Sequence, residues 1–204
     1  MVGAAEASTP DPNGEDFCGF GTNFICLPFL WQRGTMTALP TLGGNNGFAQ
    51  DINNRGEAGG SAENSTQNTA CSAGGLETKP VLWQDGGVQE LPTISGDPDG
   101  VVDAINDRGQ AGGGSGICSP TSQHTSHALL WEQGSAIDLG NLGGTDINEA
   151  LDINERGAVA GVSTLPGNLN NHAFLWQNGT MTDLGTIPGL TSYAKPTVLT
   201  TKAR

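Results

Sequence analysis

The chain is 204 residues long and carries 8 basic against 21 acidic side chains, a net charge of −13 at neutral pH, so nucleic acid and anionic membrane surfaces are excluded as expected partners. With 32 Gly and 11 Pro a long helix is hard to sustain. No apolar run reaches the length of a membrane span, and the N-terminus lacks the basic-then-apolar pattern of a signal peptide.

In chain order, one phrase returns four times: an apolar run ending in Trp, a Gly-containing turn and a short strand, followed the first three times by Ile-Asn-x-x-Gly leading into another strand. Met1-Val2-Gly3-Ala4-Ala5 aligns with Val159-Ala160-Gly161-Val162-Ser163, so the first unit, residues 1–57, starts inside a repeat. It holds Phe29-Leu30-Trp31 and ends on Ile52-Asn53-Asn54-Arg55-Gly56. The second unit, 58–109, has expected strands over 58–62, 80–83, 88–91 and 101–105. The third, 110–157, has them over 111–115, 127–131, 136–139 and 150–153. The fourth, 158–195, has them over 159–163, 172–176 and 181–184 and is incomplete.

Trp31, Trp83, Trp131 and Trp176 stand 52, 48 and 45 residues apart. A constant core phrase with loops of variable length is the mark of stacked supersecondary units. Residues 196–204 bear no relation to the repeat. Back-translated and shifted in frame, Leu199 to Arg204 yields Asn-Asp-Lys-Gly-Gln, close to Asn106-Asp107-Arg108-Gly109-Gln110. The expectation is a fragment of a longer repeat protein with a frameshifted or vector-derived tail.

The connections support strands. Asn53 to Gly56, Asn106 to Gly109 and Asn154 to Gly157 each put Asn first and Gly fourth, which suits a type I turn closed by a glycine at positive φ, the tip of a hairpin. Gln32-Arg33-Gly34, Gln133-Gly134 and Gln177-Asn178-Gly179 are read as serving the next hairpin in the same way. The expected fold is all-β: four β-propeller-like blades of about four antiparallel strands each. Four blades alone leave two open flanks with apolar side chains and unpaired edges. Homodimerisation into an eight-bladed ring closes them by two-fold symmetry, the tail from Tyr193 to Leu199 supplying a missing strand. A closed four-bladed monomer is the alternative, and an open stack of small sheets or a β-prism-like arrangement is the alternative to blades.

His172-Ala173-Phe174-Leu175-Trp176, followed by Met181-Thr182-Asp183-Leu184-Gly185-Thr186-Ile187-Pro188-Gly189, resembles the signature of the bacterial extracellular HAF repeat family. His127-Ala128-Leu129-Leu130-Trp131 with Asp138-Leu139-Gly140-Asn141-Leu142-Gly143-Gly144 is similar to it as well. The first two units depart from the pattern, with Cys26-Leu27-Pro28 and Lys79-Pro80 where His-Ala would stand. The resemblance covers almost the whole chain. It implies a secreted parent protein and a propeller-like fold, and implies no reaction.

Four cysteines are present, without the Cys-x-x-Cys spacing of a zinc site. Cys18 and Cys26 bracket a short loop and form the favoured disulfide, while Cys71 and Cys118 occupy matching loops 12 and 13 residues before Trp83 and Trp131. Free thiols are the alternative. The three histidines are His124, His127 and His172. His127 and His172 stand four residues before Trp131 and Trp176, and Asp138 and Asp183 stand seven residues after them, with Glu90 at the matching place of the second unit.

Imidazole plus carboxylate suits zinc or another divalent ion, which would acidify a bound water and polarise an ester or phosphoryl oxygen. The expected metal set is therefore His127, His172, His124, Asp138 and Asp183; the alternative is that these side chains hydrogen-bond blade to blade. Asp51, Asp103 and Asp152 are read as acceptors of backbone N–H, with calcium as the alternative, and no Gly-x-Ser-x-Gly elbow occurs. Two functions follow: a self-associating surface or binding module for a small molecule or glycan, or a metal-dependent hydrolase of activated phosphotriesters, phosphoesters or carboxylic esters.

Overall fold

The computed structural model describes residues 1–69, 75–119, 122–123, 125–186 and 196. It is all-β, built from four antiparallel sheets in chain order, and among the described residues no helix is long and apolar enough to cross a membrane. The first sheet has three strands: β1 (Val2–Pro10), β2 (Phe24–Gln32) and β3 (Thr35–Ala38). The second is a four-stranded meander of β4 (Gly43–Ile52), β5 (Ala58–Gln67), β6 (Leu76–Gln84) and β7 (Gly87–Glu90). Next come β8 (Asp99–Ile105), β9 (Ala111–Gly116), a small separate hairpin of β10 (Cys118–Ser119) and β11 (Ser122–Gln123), then β12 (His127–Glu132) and β13 (Ser135–Asp138). Here β8, β9, β12 and β13 make the third sheet. The fourth is β14 (Asn148–Ile153), β15 (Val159–Thr164), β16 (Asn171–Gln177) and β17 (Thr180–Gly185).

These sheets are offset by one strand from the sequence units. The strands over 101–105 and 150–153 close a unit in the sequence but open a sheet in space, as β8 and β14. The Asn-x-x-Gly turns cause this, because a tight hairpin tip forces the strand before it to pair with the strand after it. Gly56, Gly109 and Gly157 take φ of 82°, 78° and 78° and donate to the carbonyls of Asn53, Asn106 and Asn154. The turns after the tryptophans have a different geometry from the type I expectation. Arg33 and Gly34, Asp85 and Gly86, Gln133 and Gly134, and Asn178 and Gly179 all have positive φ, the type I′ arrangement that matches strand twist in two-residue hairpins.

Successive sheets pack face to face. β4 lies on β1 and β2, β8 on β4, β5 and β6, and β14 on β8, β9 and β12. Trp83 and Trp131 fill these junctions, each 1% exposed, and their indole N–H groups donate to the carbonyls of Pro40 and Pro92 at 2.8 Å. Both prolines lie on the segment leaving the preceding sheet. Glycine in the adjoining strand makes room: a Cβ on Gly113 would stand 2.0 Å from the Val101 carbonyl oxygen and 3.0 Å from the Trp131 ring. In the fourth sheet Phe174 takes this place over Gly161, and Trp176 is only partly buried. Trp31 differs from the rest at 43% exposed, beside exposed Met36 and Met1. The four tryptophans are thus alike in sequence, but only Trp83 and Trp131 share the same surroundings.

The Asn-x-x-Gly tips also form a ladder between sheets. Asn53 Nδ2 donates to the Asn106 carbonyl and Asn106 Nδ2 to the Asn154 carbonyl, both at 3.0 Å. Asn54 donates from N and Nδ2 to the two carboxylate oxygens of Asp107 at 2.7 Å, which holds that carboxyl below its ordinary range. Asp107 N donates in turn to Glu155 Oε1. Asn106 is 2% exposed, and its Oδ1 also accepts from Arg108 N and Gln110 N. Asn106→Ala is expected to cost about 2 kcal/mol in urea unfolding, because buried backbone donors lose their acceptor. A change within experimental error would show that the ladder is ornamental.

Candidate functional site

The first strands of the second, third and fourth sheets run along one wall of a cavity of about 420 Å³. Phe48 and Gln50 of β4, Val101 and Asp103 of β8 and Glu149 of β14 line it, with Ser61 and Thr125 beside them. Asp16 and Phe17, on the connection between β1 and β2, join them. Strand alternation explains the choice: on β4, positions 48 and 50 share one face and position 49 the other, and there Ala49 is 1% exposed in the core of the second sheet. Among the described lining residues three side chains are acidic, two are aromatic and none is basic.

The connection that brings Asp16 and Phe17 here is closed by a disulfide between Cys18 and Cys26, with S–S 2.02 Å. Its first turn is capped by Asp11, whose Oδ1 accepts from Asn13 N and Glu15 N while Oδ2 accepts from Asn46 Nδ2. Both carboxylate oxygens of Asp16 accept from Gly21 N at 2.9 Å. Asn46 is fully buried and joins the loop to the second sheet, its Oδ1 accepting from Cys26 N at 2.8 Å.

Beneath that loop lies Glu63 of β5, fully buried. Its Oε2 accepts from Asn45 N at 3.0 Å, Asn46 N at 2.9 Å and Asn46 Nδ2 at 3.2 Å, while Oε1 is buried without a donor. Burial pushes this carboxyl up to about 7, and the charge of Glu15 on the loop adds to the rise. Burial raises the Glu15 carboxyl as well, and Asp11 pushes in the same direction against hydrogen bonds from Asn13 and Glu63.

Of the sequence-predicted metal set, only His172 and Asp183 meet each other among the described side chains for which a hydrogen bond is seen. His172 Nδ1 meets Asp183 at 2.8 Å in the fourth sheet. His127 Nδ1 instead meets Asp97 at 2.8 Å, because the segment before β8 brings that carboxylate across the third sheet. Asp138 accepts from Gly140 N at 2.8 Å, and Glu90 pairs opposite Val81 at the outer edge of the second sheet. His124 and Cys71 lie outside the described residues, as does the side chain of Cys118. Among the described residues no three His, Cys, Asp or Glu side chains gather closely enough to hold a metal ion.

Asp97 also accepts from Ser115 Oγ at 2.6 Å. The order is serine, carboxylate, imidazole, so His127 is not placed to take the serine proton as a general base would. Asp51 accepts from Ile52 N at 2.8 Å and, across to the next sheet, from Ile105 N at 3.0 Å. Asp152 accepts from Ile153 N at 2.8 Å. Asp51 and Asp152 serve backbone N–H groups, and Asp103 is among the residues that line the cavity.

Sequence reasoning missed Glu63, Glu15 and the cavity wall, since none of these residues recurs from unit to unit. The one available signal was the pairing of Asp16-Phe17 with a cysteine-bounded loop. No protein-family model, curated protein or solved structure matches this chain.

Proposed function

We propose that the chain is a self-associating binding module of HAF-like repeats, acting outside the cell and taking up a small cation-bearing molecule between its inner strands. The observation that carries this reading is the cavity of about 420 Å³ with Asp16, Asp103 and Glu149 in its wall beside Phe17 and Phe48. Carboxylates concentrate cations, and an aromatic face adds attraction for an ammonium group. A volume of this order suits a small ligand. The Cys18–Cys26 disulfide supports an oxidising compartment.

The partner in self-association is a second copy. Trp83 and Trp131 are each buried with their indole N–H groups on the segment leaving the preceding sheet, whereas Trp31 is 43% exposed beside exposed Met36 and Met1. The last sheet of another copy would meet these side chains as each sheet meets the next, and two sets of four would close a ring of eight.

Thermal-shift and calorimetric titration with choline, spermidine and a panel of neutral oligosaccharides test the binding. Choline or spermidine is expected to bind, and Asp103→Asn with Glu149→Gln to weaken that binding at least about tenfold. Binding of saccharides alone would replace the cation by a glycan; no binding by any probe would remove the reading. Light scattering on wild type and Trp31→Glu tests the assembly: a dimer reduced to a monomer is expected, and a monomeric wild type defeats it.

A further inference from the structure

We propose that Glu15 and Glu63 form a proton-operated latch that holds the disulfide-closed β1–β2 connection, and with it Asp16 and Phe17, in the cavity wall. Its consequence for ligand access rests on the cavity being the binding site; the latch itself does not. Glu63 cannot obtain a donor for Oε1 from the groups around it. The three donors from β4 all go to Oε2. On β6 the residue opposite is Thr78, and the cation of that strand, Lys79, is engaged by Glu77 at 2.8 Å and by the Pro98 carbonyl. On its own strand the neighbouring Asn64 donates to Glu77. From the loop come two more carboxyls, Glu15 and Asp11, and no cation.

A single proton resolves this arrangement. With Glu63 protonated, its Oε1–H donates to the Glu15 carboxylate, and the loop is bonded to the second sheet by a short-range, charge-assisted contact. When that proton leaves for solvent, two carboxylates face each other with Asp11 close by, one of them fully buried. Moving the loop away lets water reach Glu63, which relieves both the repulsion and the desolvation. The Cys18–Cys26 bond keeps the loop tethered, so the segment carrying Asp16 and Phe17 swings on a fixed base and can close again on acidification. The cavity wall is then complete at acidic pH and open at alkaline pH.

Hydrogen exchange read by mass spectrometry over residues 11–23, corrected for intrinsic rates and run without ligand, tests the latch. The opening equilibrium of wild type is expected to rise about tenfold between about pH 6 and about pH 8, as the closed state loses its extra proton. Glu63→Gln reproduces the neutral side chain, its amide donating to Glu15, and is expected to stay closed at both pH values. Glu15→Gln removes the opposing charge and is expected to shift the transition to lower pH, which keeps the test alive if the Glu63 variant does not fold. Equal protection of wild type at both pH values, or persistence of the pH response in Glu63→Gln, would overturn the latch. Either result leaves cation binding by the cavity standing, and a cavity that binds nothing leaves the latch standing.

Discussion

Trp131→Ala is expected to destabilise the protein by about 3–5 kcal/mol, the range for removing a large aromatic from a packed core. Trp131 is 1% exposed and belongs to a cluster with Leu91, Val102, Ala111 and Leu129. Its loss empties the junction between the second and third sheets and strands the Pro92 carbonyl that its indole N–H now serves at 2.8 Å. The residues around it cannot collapse freely, because Gly113 is already hemmed in by the Val101 carbonyl oxygen. Trp31→Ala supplies the control. At 43% exposure it loses little more than half the burial that Trp131 loses and leaves no enclosed cavity, so a smaller cost of roughly 2 kcal/mol is expected at concentrations where the chain is single. Urea unfolding of both variants, compared at constant slope, decides the matter. Equal costs would mean that the two tryptophans occupy the same kind of site, and the packing of sheet on sheet would need another explanation.

Stability is expected to fall as pH rises from about 4.5 to about 7. The Glu63 carboxyl is raised to about 7 from an ordinary value of 4.5. Below the lower value the folded and unfolded chains both hold the proton, and its full stabilising effect is present. Between the two values the unfolded chain releases the proton while the folded chain keeps it, so unfolding gains on folding with each step in pH. Above the upper value both have lost it and the effect levels out. The difference amounts to roughly 3 kcal/mol at most, and local release of the loop lowers the global cost, since a solvated Glu63 no longer resists ionisation. Denaturation midpoints of wild type and Glu63→Gln across this window provide the check. The wild-type midpoint should decline and the variant's should be flatter; parallel curves would show that Glu63 does not control the response.

Much of the fold was legible because its determinants recur. Asn53, Asn106 and Asn154 mark hairpin tips wherever they fall, and a glycine three residues later fixes the turn. The strands at 111–115 and 159–163 are found as β9 and β15 with nearly those bounds. What periodicity could not say was which strand opens a sheet, since a repeat can be cut at any point without altering its period. Only the pairing of β4 with β5, β8 with β9 and β14 with β15 settles the phase. The environment of each tryptophan was likewise hidden: the phrase around Trp31 matches the others, but burial depends on what stands beside the sheet.

The candidate site was illegible for the opposite reason. Phe48, Val101 and Glu149 differ from one another on the three inner strands, so no repeated letter points to them. Glu63 reads as one polar residue between Ala62 and Asn64, and its chemistry comes from a loop about fifty residues earlier in the chain. The histidines show how misleading symmetry can be. His127 and His172 hold matching positions, but the segment before β8 provides Asp97 for the first, and only the second takes the aspartate on its neighbouring strand.

The meander order of the sheets bears on how the molecule is made. Strand partners are neighbours along the chain, with the β10–β11 hairpin between β9 and β12 as the single interruption among the described residues. Such local pairing closes short loops and favours rapid formation. During synthesis, each sheet can be completed as its stretch of 45 to 52 residues leaves the ribosome, then act as a template on which the next one settles.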